Sequence, residues 1–341
     1  MKLSHPDIGW YERLLIDRVL SSGTLSQGPM LELFEAAFSE YHDVPYAIGV
    51  TSGTAGLHLA IIACDLQVGD EVITTPLSFI ASANCICYER AKPIFVDVDA
   101  ETWTLDPILV APALTSRTRA ILPVHLFGIR ADIAGLSAFG YPVIEDACEA
   151  VGIIPGKVAI YAFYPNKQMT TAEGGMIVTR EPAFADRIGR LRNHGRDDQG
   201  RFVELGYNYR LDELRAALGL GQLQRLPELL SNRAQVAQWY TDRIEDVVAL
   251  MPKPETWFAY VIRVKDRDLV AVDLAKLDIP TRPYFPAIHL QPFYQSEFGY
   301  KEGDFPIAEE IARETLALPF HGQMTEEEVE TVCIALVDVL S

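Results

Sequence analysis

The stretch YAIGVTSGTAGLHLA, residues 46–60, reads as a short strand at 46–50, a turn of small residues from Thr51 to Gly56, and an apolar helix over 57–64. Small residues at such a junction leave backbone N–H groups free to close around an anion, although a Ser or Thr cap before an apolar helix explains the same pattern. Downstream, the alternation continues with strand 71–75, helix 78–90, strand 93–97, strand 119–124, helix 131–139 and strand 142–145. Strands at 158–163 and 175–179 and a helix at 182–192 follow. Alternation of this kind predicts an α/β fold with a mostly parallel sheet and helices on both faces.

Upstream, residues 6–42 show two helical faces, Trp10, Leu14, Leu15 and Val19, then Leu33, Phe34, Ala37 and Phe38, broken by SSGTLSQGP. From Leu211 the pattern stays helical past Tyr240. After Pro252 a smaller α/β piece is predicted, with strands at 257–264 and 279–284 and helices at 268–277, 306–316 and 325–340. The expected division is a large domain over 1–230 and a small one over 231–341.

Hydrophobic residues make up 49% and charged residues 22% of the 341-residue chain, as in ordinary globular proteins. A formal charge of −18 argues against nucleic acid as a partner. The five cysteines are odd in number, and four lie in apolar runs, the usage of reduced, buried thiols. No apolar run is long enough for a membrane helix, and the amino terminus has no signal core, so a soluble cytoplasmic protein without a membrane partner is expected.

Ligands of open parallel sheets collect at the carboxyl ends of the strands. Besides the 51–56 turn, two features fall there. Glu145-Asp146-Ala147-Cys148-Glu149 leaves the apolar run Pro142-Val143-Ile144. A carboxylate at that depth needs a cation or donor, and Asp146 suits a pyridinium nitrogen; a helix cap is the plainer alternative. Cys148 reads as core. Lys167 follows the aromatic strand YAFYPN and precedes Thr170, Thr171, Gly174 and Gly175. Most lysines are solvated charges, but one held in apolar surroundings becomes a nucleophile toward aldehydes. No metal site is expected: His125, Asp146 and Glu149 lack ligand spacing.

These features lie within a run of motifs that resembles the DegT/DnrJ/EryC1/StrS family of sugar aminotransferases. The matching stretches include TLSQGP (24–29), SGTAGLHLA (52–60), GDEVITTPLSFIASAN (69–84), VIEDACEA (143–150), FYPNKQMTTAEGGM (163–176), RNHG (192–195), GYNYRLDELRAALGLGQL (206–223) and TRPYFPAIHLQPFY (281–294). The resemblance implies the aspartate-aminotransferase fold, fold type I of the transferases that depend on pyridoxal 5'-phosphate (PLP). It also implies Lys167 as the Schiff-base lysine and Asp146 as partner of the ring nitrogen. Glu149 would meet the ring hydroxyl, Phe79 would stack on the ring, and Gly53, Thr54 and Ala55 would hold the phosphate. Asn208 corresponds to a residue that reaches the phosphate from the second subunit, which implies a homodimer with shared active sites.

The implied reaction is ping-pong transfer of an amino group from an amino acid, glutamate, to a nucleotide-linked keto-sugar, as in polysaccharide biosynthesis. Lys167 then anchors the cofactor and moves protons. Arg192, His194 and Arg196 form a basic loop suited to a diphosphate, and Tyr284, His289 and Gln291 are further candidates for the sugar pocket; solvated or structural roles explain the loop charges and His289 equally well. Two rival readings are a PLP-dependent sugar dehydratase, which the retained Lys167 opposes, and a regulatory protein, which the acidic charge opposes. Three departures from the family pattern stand out. Ala162 replaces a serine that touches the phosphate, the 151–156 connection is short, and Ala172 stands where glycine is common.

Overall fold

The computed structural model describes residues 1–341. Seven strands form the main sheet: β1 (Tyr46–Val50), β2 (Glu71–Thr74), β3 (Lys92–Phe95), β4 (Thr118–Leu122), β5 (Glu145–Asp146), β6 (Val158–Ala162) and β7 (Gly175–Thr179). Two ladders, β3-β2-β4 and β1-β7-β6-β5, are joined by parallel bridges from Ile121 to Val143 and from Val124 to Asp146. The order is therefore β3-β2-β4-β5-β6-β7-β1, with β7 alone antiparallel to its neighbours.

The helices are α1 (Trp10–Ser22), α2 (Pro29–Tyr41), α3 (Gly53–Ile62), α4 (Ala81–Tyr88), α5 (Pro107–Val110), α6 (Ile133–Ser137), α7 (Pro182–Leu191), α8 (Glu213–Gln224), α9 (Leu226–Ile244), α10 (Arg267–Lys276), α11 (Pro292–Phe298), α12 (Pro306–Glu314) and α13 (Glu326–Leu340). They cover both faces of the sheet, which explains its apolar strands. In β6, Val158 and Ile160 pack into the core on the α3 side, while Ala159 and Tyr161 join α1, α2 and α8 on the other. The buried carboxylate of Glu213 accepts the N–H groups of Gly28, Met30 and Leu31, so α8 caps α2.

A second sheet, order β10-β9-β8, is antiparallel and comprises β8 (Ala249–Leu250), β9 (Val261–Arg263) and β10 (Thr315–Ala317). It shares a core with α10, α13 and the later part of α9. Within α9, Leu226 and Leu229 pack with the main sheet, whereas Val236, Ala237, Tyr240 and Ile244 pack with the small one. Residues beyond 231 also return to the large core: Phe285, Ala287, Ala308 and Ile311 are embedded in it.

Some elements differ from expectation for local reasons. Helix α3 begins at Gly53, not at residue 57, because Ser52 caps it. The strand expected over 279–284 is reduced to one bridge between Arg282 and Ala317, since Pro280 and Pro283 have no N–H to pair. The helix expected to reach 316 ends at Glu314, and residues 315–317 pair with β9 instead. The short 151–156 connection closes tightly: the Gly156 N–H donates to Glu145 Oε1 at 2.8 Å and the Tyr161 hydroxyl to Ile153 O at 2.8 Å.

Candidate active site

A cleft of about 460 Å³ opens at the carboxyl ends of β1, β5 and β6, with Val124 just beyond β4 on its wall. Its position follows from the sheet, since β1, β5 and β6 run parallel and ligands of such sheets collect beyond the carboxyl ends of the strands. A more open groove of about 720 Å³ lies between Glu35, Tyr46, Arg190, Arg192 and Asp197. Arg192 there is paired with Glu35 and Arg190 with Glu204, and the groove lies by Tyr46 at the start of β1, away from the carboxyl ends of the strands, so the smaller cleft is the chemical candidate.

The first wall of the cleft is the start of α3. Ser52 Oγ accepts the Ala55 N–H at 3.1 Å and Ser52 O accepts the Gly56 N–H at 3.1 Å, which leaves the Gly53 and Thr54 N–H groups for a ligand. A Cβ on Gly53 would lie 2.7 Å from both Ala162 Cβ and Cys148 Sγ, and one on Gly175 would lie 2.7 Å from the Ser52 carbonyl carbon. Only glycine lets β6, β7 and the turn approach this closely. The turn fits a phosphate by its two free donors and its helix dipole.

On the floor, Asp146 is 4% exposed. Its Oδ2 accepts the Ser82 hydroxyl at 2.7 Å and its Oδ1 accepts the Cys148 N–H at 3.1 Å. Glu149 is also buried; its Oε2 accepts the Phe127 N–H at 3.0 Å, and burial raises its pKa against the pull of Lys167. Lys167 Nζ lies 3.3 Å from Glu149 Oε1 and 4.0 Å from the centre of the Phe258 ring. A cation over an aromatic face is held with little water around it.

The lysine's loop is itself anchored. Arg233, buried on α9, donates to the carbonyls of Lys167 at 2.9 Å and of Phe258 at 3.1 Å. Nothing anionic pairs with its guanidinium, and burial lowers its pKa to about 10. Gln168 Nε2 donates to the Glu149 carbonyl at 2.6 Å.

A lysine, buried carboxylates and a helix start with free N–H groups thus share one cleft, and the family model of the DegT/DnrJ/EryC1/StrS aminotransferases matches residues 6–337. The chain belongs to this family. GDP-perosamine synthase of Caulobacter vibrioides is 37% identical over 341 residues, covering 92% of this chain and 91% of that one. Among solved structures, DesV of S. venezuelae, in complex with a ketimine intermediate, superposes with a TM-score of 0.92 at 34% identity, covering 97% of this chain and 94% of the other. NtdA of Bacillus subtilis, with bound cofactor PMP, superposes at 0.91 and 28% identity, covering 98% and 83%. The fold is that of the PLP-dependent sugar aminotransferases, as the motifs imply.

As a family member, the chain brings Gly53, Thr54, Phe79, Asp146, Glu149, Lys167 and Tyr284 together around the cleft. Ala55 lies just behind, its N–H taken by Ser52. The other expected residues lie elsewhere. His289 is fully buried with Nε2 3.0 Å from Glu309 Oε1, off the cleft wall. Gln291 donates to the Ala287 carbonyl at 3.2 Å. Arg192 binds Glu35 and the Gly49 carbonyl, and Arg196 lines the open groove. The exposed His194 and Asn208 do not reach this chain's own cleft. Cys148, read as core from sequence, is on the cleft wall. Ser82, Phe258, Arg233 and Arg282 were not singled out by sequence. Of these, Ser82 and Arg282 carry a local signal, in the family-like stretches GDEVITTPLSFIASAN and TRPYFPAIHLQPFY.

Proposed function

We propose that this protein is a PLP-dependent aminotransferase that moves an amino group from an amino acid, glutamate, to a nucleotide-linked keto-sugar. The observation that carries the reading is Lys167 Nζ beside Glu149 in the cleft that also holds Asp146 and the free donors of the α3 turn. The donor set fits the cofactor: two N–H groups for a phosphate, a buried carboxylate for a ring nitrogen, and an amine for an aldehyde. Bound there, PLP supplies an electron sink.

The chain's own groups do the rest. Asp146, fixed by Ser82 and the Cys148 N–H, keeps a ring nitrogen protonated. Lys167 acts first as covalent anchor and then, released by the incoming amine, as the base and acid that carries a proton. Phe258, 4.0 Å from Lys167 Nζ, shields it from water, and Phe79, 56% exposed, is free to cover a ring. We further propose a homodimer in which the Asn208 side chain completes the partner's phosphate site. Asn208 is exposed, and its backbone pairs with Asn193 beside the segment that meets Thr51, whose N–H donates to Tyr209 O at 3.0 Å.

The test is incubation of the purified protein, PLP and glutamate with a panel of nucleotide keto-sugars while 2-oxoglutarate is followed. Release that depends on one of the sugars supports the assignment; release with none of a broad panel overturns the acceptor class.

A further inference from the structure

Five side chains on the cleft wall carry formal charge: Asp146, Glu149, Lys167, Glu173 and Arg282. Asp146 is held by Ser82, and Glu149 and Lys167 hold each other. The Arg282 guanidinium makes no hydrogen bond or ion pair within the chain, and the residue is exposed to the cleft. Its backbone, by contrast, is fixed: the Arg282 N–H donates to Ala317 O at 3.2 Å and Arg282 O accepts the Ala317 N–H at 2.8 Å. A rigid base and an idle cation are what an anion-recognising arginine needs. Once Lys167 is engaged covalently, Arg282 is the one cation left among three carboxylates, and an anionic amino acid entering that field must meet it.

We propose that Arg282 binds the α-carboxylate of the amino donor. The assignment rests on the aminotransferase reading above. The donor's amine must reach the atom that Lys167 Nζ holds, and its α-carboxylate is bonded to the carbon bearing that amine. It therefore lies near Lys167, and Tyr284, two residues from Arg282, meets Asn166 at 3.5 Å, next to the lysine. The diphosphate of a nucleotide-sugar is joined through the anomeric carbon and lies farther from its reacting centre.

The experiment uses the PLP-loaded holoenzyme and two amino acids without an α-proton, 2-methylglutamate and 2-aminoisobutyrate, whose dissociation constants are measured by calorimetry with no sugar present. Arg282→Gln weakens both by about tenfold to a hundredfold, Arg282→Lys recovers part of the loss, and the visible spectrum of the unliganded holoenzyme stays that of the parent. In the glutamate half-reaction the half-saturating concentration rises by the same factor while the limiting rate changes little. Unchanged constants in Arg282→Gln overturn the proposal, as does weakening of 2-methylglutamate alone, which places the side-chain carboxylate there. A parent holoenzyme that shows no spectral response to any amino acid overturns the aminotransferase reading itself.

Discussion

In the proposed reaction Lys167 and Asp146 do different work on the same ligand, and single substitutions separate them. Lys167→Ala removes the only amine on the cleft wall, so the adduct trapped by borohydride and located by peptide mapping disappears; trapping at another lysine overturns the site. Asp146→Asn keeps its hydrogen-bonding shape but cannot hold a ring nitrogen protonated. It binds PLP with near-parent affinity and loses at least about a hundredfold in turnover. Near-parent rates in that variant would leave Asp146 as a helix cap. Both residues were legible in the sequence because each breaks a pattern, a carboxylate ending an apolar strand and a lysine ending an aromatic one. The residues that tune them were not, because Phe258 and Arg233 come from segments distant in the chain and look there like ordinary core and ordinary surface.

Among the elements, the meeting of β6 with α3 settles the meaning of Ala162. Its Cβ faces the Gly53 turn, so the short 151–156 connection has not rotated residue 162 away from the turn proposed to hold the phosphate. Ala162→Ser is expected to tighten PLP by about tenfold to a hundredfold in cofactor titration, the value of one hydrogen bond to a charged group; an unchanged constant means that the two α3 donors already saturate the phosphate. The end of α2 carries a different prediction. His42 is fully buried, stacked on Phe38 at 4.1 Å, with Nε2 lacking a partner, and burial lowers its pKa to about 4 from 6.5. A lowered pKa means that the neutral form stabilises the fold above pH 6.5 and that this contribution fades as pH falls toward 4. Urea unfolding should show a loss on the order of 3 kcal/mol across that window, reduced in His42→Phe. Equal pH slopes for parent and variant would contradict it. Strand and helix periods exposed most of these elements, whereas β10 was missed because Thr315-Leu316-Ala317 continues the apolar period of α12 without a break.

For the whole molecule, the shared site is the claim most open to experiment. Asn208→Ala should weaken PLP by about tenfold to a hundredfold while sedimentation still reports a dimer; parent affinity in an intact dimer means that the partner does not complete the site. Subunit sharing could be inferred only through family resemblance, since no residue pattern within one chain says what lies across an interface. The same limit applies to domain division: α9 runs through the expected boundary at 231, and segments beyond it rejoin the large core.

Arg233 and Phe258 fix Lys167 from sequence positions far behind it. A ribosome adds roughly 5–20 residues per second, so the lysine emerges several seconds before either partner exists. During that interval its loop has no anchor and its side chain no ring over it, so the amine has no fixed place. Cofactor capture therefore belongs to the finished chain, and a nascent or prematurely terminated polypeptide carrying every residue of the 143–176 motifs has the reactive amine without the means to use it.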